Sequence, residues 1–200
     1  PRAIWVVHVG GHICFEIDKI TKLCKEKNII LLEDCAHAHG ASFNKKKPGS
    51  WGDAGIYSLY ATKTISTGEG GLLVSKNKDL IEYAKSFKNY GKPNNVVMGR
   101  NLRMSEFSAA LGCVQVDRLD NIVEWKNNYV EKEISKYTNT LKLPNGMISG
   151  RYKFIVFEKI KKSTGKVYEI GCHKIFNENV ELPNTDWVNK NHWCVPLYYK

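Results

Sequence analysis

Short apolar runs alternate with amphipathic segments through the first half of the chain. Residues 4–9 (IWVVHV) form an almost continuous apolar run, which is typical of a buried strand. Residues 16–28 repeat their apolar side chains at helical spacing, and residues 29–34 (IILLED) form a second buried run that ends in two carboxylates. Strands that alternate with helices indicate βαβ units and a mostly parallel sheet.

A pair of strands joined by a glycine-rich loop is predicted next. Residues 54–60 (AGIYSLY) and 72–75 (LLVS) carry the apolar and β-branched side chains of strands. The segment between them contains Gly68, Gly70 and Gly71, which permit positive φ and a close approach of the backbone. We therefore expect the loop to fold back tightly and to hold one side chain at a fixed place.

Three helices and a smaller second unit are expected after this loop. Asn77 suits the N-cap of a helix that stops at Gly91, a further helix begins at Ser105, and residues 119–137 have the mixed polarity of a long amphipathic helix. Strands are then predicted over residues 152–160 and 193–198.

The pattern as a whole predicts an α/β fold with a three-layer, mixed and mostly parallel sheet and a smaller α+β C-terminal domain. We place the first unit at residues 1–118 and the second at residues 119–200. Both ends of the chain consist of apolar, strand-like segments of the kind found inside domains, so we expect the chain to be a piece of a longer protein.

Composition narrows the class of protein. The chain has 200 residues and 42% hydrophobic residues, enough for a real core. It contains no apolar run of membrane-spanning length and no signal-peptide pattern, so we expect a cytoplasmic protein.

A net charge of +10 is compatible with nucleic acid, an anionic surface or a phosphorylated small molecule. The one compact basic run, residues 45–47, is interpreted as a solvated loop, and no helix-turn-helix, RRM or zinc signature favours nucleic acid. The six cysteines contain no CxxC pair, and His8 and His12 are separated by two glycines. We therefore expect neither a metal site nor a disulfide framework.

Two residues are candidates for chemistry on their own. Asp34 ends a predicted strand, where the carboxyl edge of an α/β sheet opens onto a ligand crevice, although it could equally cap a loop. Lys63 is the single basic residue in a small, neutral loop, so its amine could attack an aldehyde, although it could also be a surface lysine.

Three segments carry a resemblance to a known family. EDCAHAHGA (33–41), GDAGIYSLYATKTISTGEGG (52–71) and GRNLRMSEFSAA (99–110) resemble the signature segments of the DegT/DnrJ/StrS family of nucleotide-sugar aminotransferases. YKFIVF and HWCVPLY are similar to the family's C-terminal strands. The resemblance implies the aspartate aminotransferase-like fold type I, with an incomplete large domain, and pyridoxal 5′-phosphate (PLP) as cofactor.

The resemblance also implies a role for each matching residue. Lys63 is the Schiff-base lysine and proton shuttle, and Asp34 holds the pyridinium nitrogen. His37 lies against the ring, Ser58 binds the phosphate, and Asn101 reaches the phosphate of the neighbouring subunit's cofactor. The resemblance implies three partners. They are a nucleotide-sugar substrate, an amino acid donor, which is glutamate, and a second copy of the chain in a homodimer with shared active sites.

Two alternatives stay open within this resemblance. Relatives that remove a sugar hydroxyl carry histidine in place of the lysine, so Lys63 favours transamination over a PLP-dependent sugar dehydratase. A non-catalytic or regulatory PLP-fold protein is the other alternative. The family's N-terminal part and closing helix have no counterpart here, so we expect these 200 residues alone to bind PLP weakly or not at all and to be inactive.

Overall fold

The computed structural model describes residues 1–199, which form eight strands and six α-helices. The strands are β1 Ala3–Val7, β2 Ile30–Asp34, β3 Ser42–Phe43, β4 Ala54–Ser58, β5 Gly71–Val74, β6 Met147–Ile148, β7 Phe154–Val156 and β8 Trp193–Val195. The helices are α1 Ile17–Lys27, α2 Lys78–Phe87, α3 Glu106–Asp117, α4 Leu119–Glu133, α5 Cys172–Ile175 and α6 Pro183–Asn191. None of these helices combines the length and the apolar character needed to cross a membrane.

The central sheet has the strand order β1-β2-β4-β5. Strands β1, β2 and β4 are parallel, and β5 pairs with β4 in the antiparallel direction. Val7 lies opposite Asp34, and Asp34 lies opposite Ile56, so the three parallel strands end at the same edge. The predicted mixed, mostly parallel sheet is confirmed.

Helix α1 covers this sheet with the apolar stripe that the sequence predicted. Ile17 and Cys24 are buried, and they belong to one core cluster with Leu31 and Trp51. Asn28 ends the helix in the left-handed conformation, with φ 52°, and its backbone N–H donates to the carbonyls of the last turn.

Helix α4 connects the two units. Near its start, Ile122 packs with Leu59 and Ile65 of the first unit, and near its end Val130 packs with Phe154 of the second. The boundary that we expected at residues 118/119 therefore lies at the start of a helix that belongs to both cores. The division into two domains stays a prediction.

The second unit departs from the sequence prediction. The expected strand at residues 152–160 is reduced to β7, and just beyond it the side-chain carboxylate of Glu158 accepts hydrogen bonds from the Thr138 backbone and hydroxyl. The expected strand at 193–198 shrinks to β8, its partner. Helix α6 was not predicted, although Pro183 in its first turn is a start signal.

Candidate active site

The carboxyl edge of the central sheet carries two of the predicted residues, Asp34 at the end of β2 and Ser58 at the end of β4. Asp34 Oδ1 accepts a hydrogen bond from the Ala36 backbone N–H at 2.9 Å, and Oδ2 has no partner within residues 1–199. Ser58 Oγ accepts from the Tyr60 backbone N–H at 3.3 Å, which leaves its own hydrogen free to donate. Both side chains keep hydrogen-bonding capacity for a ligand.

The loop between β4 and β5 holds Lys63. Its base is closed by backbone hydrogen bonds from Leu59 to Gly70, at 2.9 Å, and from Thr67 to Leu59, at 3.0 Å. Gly68 and Gly70 use the positive φ that glycine permits, whereas Gly71 is already the first residue of β5, opposite Ser58. Strand β5 thus begins one residue earlier than expected.

Lys63 and His37 meet on one aromatic ring, that of Tyr152. The His37 imidazole stacks on this ring with centroids 4.1 Å apart and planes 20° apart, and Lys63 Nζ lies 5.1 Å from its centroid. Burial, and next the charge of Lys63, lowers the pKa of His37 to about 4. The Gly10 backbone N–H lies 3.4 Å from Nδ1 and donates to it, so the ring is neutral with its proton on Nε2. Three segments that are distant in sequence therefore meet at this edge.

Asn101 lies apart from the other predicted residues. It is exposed and forms an isolated β-bridge with Asn89, and no contact within the described chain joins it to Asp34 or Lys63. A role for Asn101 in the site of its own subunit is not supported by this position. Its predicted role toward a second copy stays a prediction.

Further polar side chains near the site were not predicted as site residues. His39 is 3% exposed, and its ring nitrogens form no hydrogen bond of ordinary geometry among the described residues, although the ring lies beside the Ser58 backbone. Burial lowers the pKa of His39 to about 4, the Ser58 backbone acts in the opposite direction, and the charges of Lys63 and Lys126 act with burial. Lys153 Nζ lies 5.0 Å from the Tyr152 centroid. Two features of the sequence could have drawn attention to these side chains. His39 is the second histidine of EDCAHAHGA, and Lys126 is a lysine within the apolar stripe of α4.

Glu33 has a structural role that its place beside Asp34 did not reveal. Its carboxylate is buried and accepts four hydrogen bonds, from the backbone N–H groups of Gly49, Trp51 and Gly52 and from His8 Nε2, at 2.7 to 3.0 Å. Burial alone would raise the pKa of Glu33, but these hydrogen bonds, from His8 first, lower it. Glu33 thus fastens the loop before β4 to the end of β2.

A cluster of possible metal ligands surrounds the same carboxylate. His8, Glu33 and Cys35 place one ligand atom each within 4.8 Å of one another. The Cys14 backbone N–H already donates to His8 Nδ1 at 3.1 Å, and burial raises the pKa of the Cys35 thiol. Because the ring, the carboxylate and the thiol are committed to the fold, the cluster offers a metal ion no free ligand set.

Comparison with known proteins identifies a family. The profile of the DegT/DnrJ/EryC1/StrS aminotransferase family matches residues 1–149. GDP-perosamine synthase of Vibrio cholerae is 37% identical over 139 residues, which are 65% of this chain and 36% of that protein. UDP-4-amino-4,6-dideoxy-N-acetyl-beta-L-altrosamine transaminase of Campylobacter jejuni (strain 81-176) is 34% identical over 185 residues, which are 86% of this chain and 49% of that protein. The chain thus spans less than half the length of each of these relatives.

Solved structures agree on the fold. Aminotransferase TlmJ from Streptoalloteichus hindustanus matches with a TM-score of 0.86 and 24% identity, over 98% of this chain and 60% of that one. DesV of S. venezuelae, solved in complex with a ketimine intermediate, matches with a TM-score of 0.89 and 21% identity, over the same shares. At these identities the likeness shows the fold alone.

Proposed function

The chain belongs to the DegT/DnrJ/EryC1/StrS aminotransferase family, and we propose on that premise that the protein uses PLP to transfer an amino group to a nucleotide-linked keto-sugar. The amino donor is an amino acid, glutamate. The observation that carries the proposal is the meeting of Lys63 and His37 on the Tyr152 ring, at the sheet edge where Asp34 and Ser58 end their strands.

The chemistry of the free groups fits PLP. PLP presents an aldehyde, a ring nitrogen, a flat aromatic face and a phosphate, and it is anionic overall. The site offers an amine on Lys63, an unshared carboxylate oxygen on Asp34, a flat ring on His37 and a hydroxyl donor on Ser58. Each chemical feature of the cofactor therefore has a matching group.

Lys63 and Asp34 divide the acid–base work. When bound, PLP supplies an aldehyde that exchanges with amines and a ring that withdraws electrons from the adjacent carbon. The Lys63 amine would hold the cofactor at its aldehyde, and as a free amine it would take and return a proton at the substrate carbon that carries nitrogen. Asp34 Oδ2 would accept a hydrogen bond from the protonated ring nitrogen, a charge-assisted contact of about 1.5–3 kcal/mol.

His37 orients the ring without adding charge. The lowered pKa of His37 keeps its imidazole neutral at pH 7, and the stack on Tyr152 fixes the plane of the imidazole. A neutral flat ring contacts the cofactor face without competing with Asp34 for the protonated nitrogen.

Ser58 and Asn101 are proposed to bind phosphate in different subunits. The Ser58 hydroxyl donates within its own site, and Asn101 serves a second copy of the chain. Helix α3, which follows Asn101, supports such a pairing, because Phe107 is 91% exposed and Val114 is 55% exposed on it. A soluble protein exposes apolar side chains of this size on one helix mainly where a partner covers them. We therefore propose a homodimer with shared sites.

The class of substrate is inferred from the relatives, which are named for GDP-, UDP- and dTDP-linked amino sugars. The nucleotides and sugars differ among them, so we propose for this protein the class that they share, a nucleotide-linked keto-sugar.

The experiment compares the full-length wild-type protein with Lys63→Ala, and uses Lys76→Ala as a matched control because Lys76 is an exposed loop lysine. Incubation with PLP, ¹⁵N-glutamate and a nucleotide keto-sugar is followed by mass spectrometry of the sugar. Nitrogen transfer by the wild type and Lys76→Ala, and none by Lys63→Ala, supports the proposal. Undiminished transfer by Lys63→Ala refutes it.

A further inference from the structure

Arg151 is a buried cation that lines a cavity. The residue is 8% exposed, and the cavity has a volume of about 490 Å³ between helix α4 and the strand pair β3–β6. The backbone of Arg151 has φ 45°, in the left-handed region that residues other than glycine rarely adopt. Its neighbour Tyr152 contacts His37 and Lys63 instead. Two adjacent residues thus line different places, the cavity and the candidate active site.

Asn127 of helix α4 fixes the orientation of the Arg151 guanidinium. The Asn127 Nδ2 group donates to the carbonyls of Val123 and Ser149, at 2.9 and 2.8 Å. Since carbonyls cannot donate, this amide cannot turn over, and its Oδ1 must face the guanidinium. Arg151 Nε donates to Oδ1 at 3.0 Å, and the Arg151 backbone N–H donates to Ser149 Oγ at 2.9 Å. One edge of the guanidinium is therefore held by the fold.

The other edge of the guanidinium has no partner. Within residues 1–199, Nη1 and Nη2 of Arg151 form no hydrogen bond, and no carboxylate oxygen lies within 4 Å of them. A purely structural role accounts for the Nε bond but leaves these four N–H donors unused. A buried cation without a counterion is costly, and a planar guanidinium fork matches a carboxylate. The free edge of Arg151 is suited to a carboxylate.

The charges around the cavity exclude a simple anion. Helix α4 contributes three exposed carboxylates to the lining, those of Asp120, Glu124 and Glu131, and the only other charged side chain there besides Arg151 is Lys47. None of the three carboxylates forms an ion pair within the described part of the chain. A simple anion is repelled by the carboxylates, and a simple cation is repelled by Arg151. A small molecule that carries both charges matches both.

The rest of the lining is apolar, and the cavity has the size of a small-molecule site. Pockets for small ligands have volumes of about 300–1,000 Å³ and combine apolar walls with a few polar groups. The apolar side chains in the lining are Val123, Leu143, Met147 and Ile148. They can cover an apolar substituent of the bound molecule.

We propose that this cavity binds an α-amino acid with an apolar side chain, with its carboxylate on Arg151 and its ammonium among the carboxylates of α4. None of the residues assigned to PLP lines the cavity; these are Asp34, His37, Ser58 and Lys63. The amino acid bound here is therefore not the amino donor, and its site is separate from that of the proposed reaction.

The first experiment asks which features of the ligand are recognised. Isothermal titration calorimetry of the PLP-free full-length protein is carried out with leucine, with leucinamide, which lacks the carboxylate, and with 4-methylpentanoate, which lacks the ammonium. Loss of a charge-assisted contact should weaken binding about tenfold for each analogue. Absence of leucine binding overturns the proposal. Equal affinities for leucine and 4-methylpentanoate also overturn it, because the carboxylates of α4 would then have no role.

The second experiment changes the cavity. Arg151→Met removes the charge and should weaken leucine binding about tenfold. The double variant Asp120→Asn/Glu124→Gln changes exposed side chains and should weaken it about fivefold, while it strengthens binding of 4-methylpentanoate by removing repulsion. Asp117→Asn, an exposed carboxylate outside the cavity, should match the wild type. If Arg151→Met does not fold, the double variant still decides, since unchanged affinities for both ligands contradict the assignment.

The third experiment separates the cavity from the candidate active site. Lys63→Ala should bind leucine as the wild type does, because Lys63 does not line the cavity. Loss of leucine binding in Lys63→Ala, with normal binding in Arg151→Met, would place leucine in the active site and overturn the proposal. Nitrogen transfer by the same Lys63 variant tests the proposed function separately.

Discussion

The imidazole of His37 lies on the phenol ring of Tyr152, with their centroids 4.1 Å apart and their planes 20° apart. Tyr152 also receives Lys63 Nζ on its ring, and its hydroxyl lies 3.3 Å from Thr62 Oγ1. One aromatic side chain from the second unit thus contacts both the loop that follows β2 and the loop that follows β4. A residue more than eighty positions away in sequence thus fixes the position of the two loops relative to each other.

Removal of the Tyr152 ring should weaken cofactor binding. Tyr152→Ala loses the stack on His37 and the contact with Lys63, and an aromatic pair contributes about 0.5–1.5 kcal/mol, so the Kd for PLP should rise roughly 2- to 10-fold. Tyr152→Phe keeps the ring and should stay close to the wild type. Fluorescence titration with PLP measures both, and equal affinities for the Ala variant and the wild type would refute the role.

Removal of the Glu33 charge should destabilise the fold. In Glu33→Gln an amide NH₂ replaces one of two oxygens that accept four hydrogen bonds, so buried donors lose their acceptor at about 1–3 kcal/mol. Glu26→Gln, which affects only an exposed pair with Lys22, should cost less than about 1 kcal/mol. Urea unfolding measures both free energies, and similar losses in the two variants would count against a structural role for Glu33.

Stability should fall as the pH drops below 6.5. Burial lowers the pKa of His37 and His39 to about 4 and that of His12 to about 3, whereas an unfolded histidine titrates near 6.5. The unfolded chain therefore binds more protons below pH 6.5, and the stability present above that pH is lost progressively toward pH 4. Replacement of His39 by Gln should flatten the decline between pH 6.5 and 5 by about 1 kcal/mol per pH unit. An unchanged pH slope of the unfolding free energy would contradict this.

A charge on helix α3 should break the proposed dimer. Phe107→Glu introduces a carboxylate into the exposed apolar face, and sedimentation of the full-length protein should then give the monomer mass. Leu23→Glu alters another exposed apolar residue, on α1, and should leave the mass unchanged. A dimer that persists in Phe107→Glu would remove α3 from the interface.

The sheet could be predicted from the sequence because its signals are local. The apolar runs that became β1, β2 and β4 have the length and composition of buried strands, and the αL residue Asn28 ends a helix whose stripe was visible at the 3.6 period. The second unit was predicted less well. Its strands are short, and next to them Glu158 and the turn around Gly165 form hydrogen bonds with distant backbone, contacts that no local pattern encodes.

The site divides in the same way. Asp34, His37, Ser58 and Lys63 lie in segments that resemble a family motif, so their positions could be proposed one by one. Tyr152 enters the site only because the second unit folds against the first. Long-range packing of this kind is not encoded in any local pattern of the sequence.

Covalent trapping of PLP identifies the lysine that reacts with the cofactor aldehyde. The full-length protein is incubated with PLP and reduced with borohydride, and the modified lysine is located by peptide mass spectrometry. Lys126 is the informative rival, because burial lowers its pKa to about 8 and leaves more of its amine unprotonated. We expect one modified residue, Lys63, in the wild type and no modification in Lys63→Arg. Modification of Lys126 or Lys153 instead of Lys63, or undiminished trapping in Lys63→Arg, would contradict the role of Lys63 as the Schiff-base lysine.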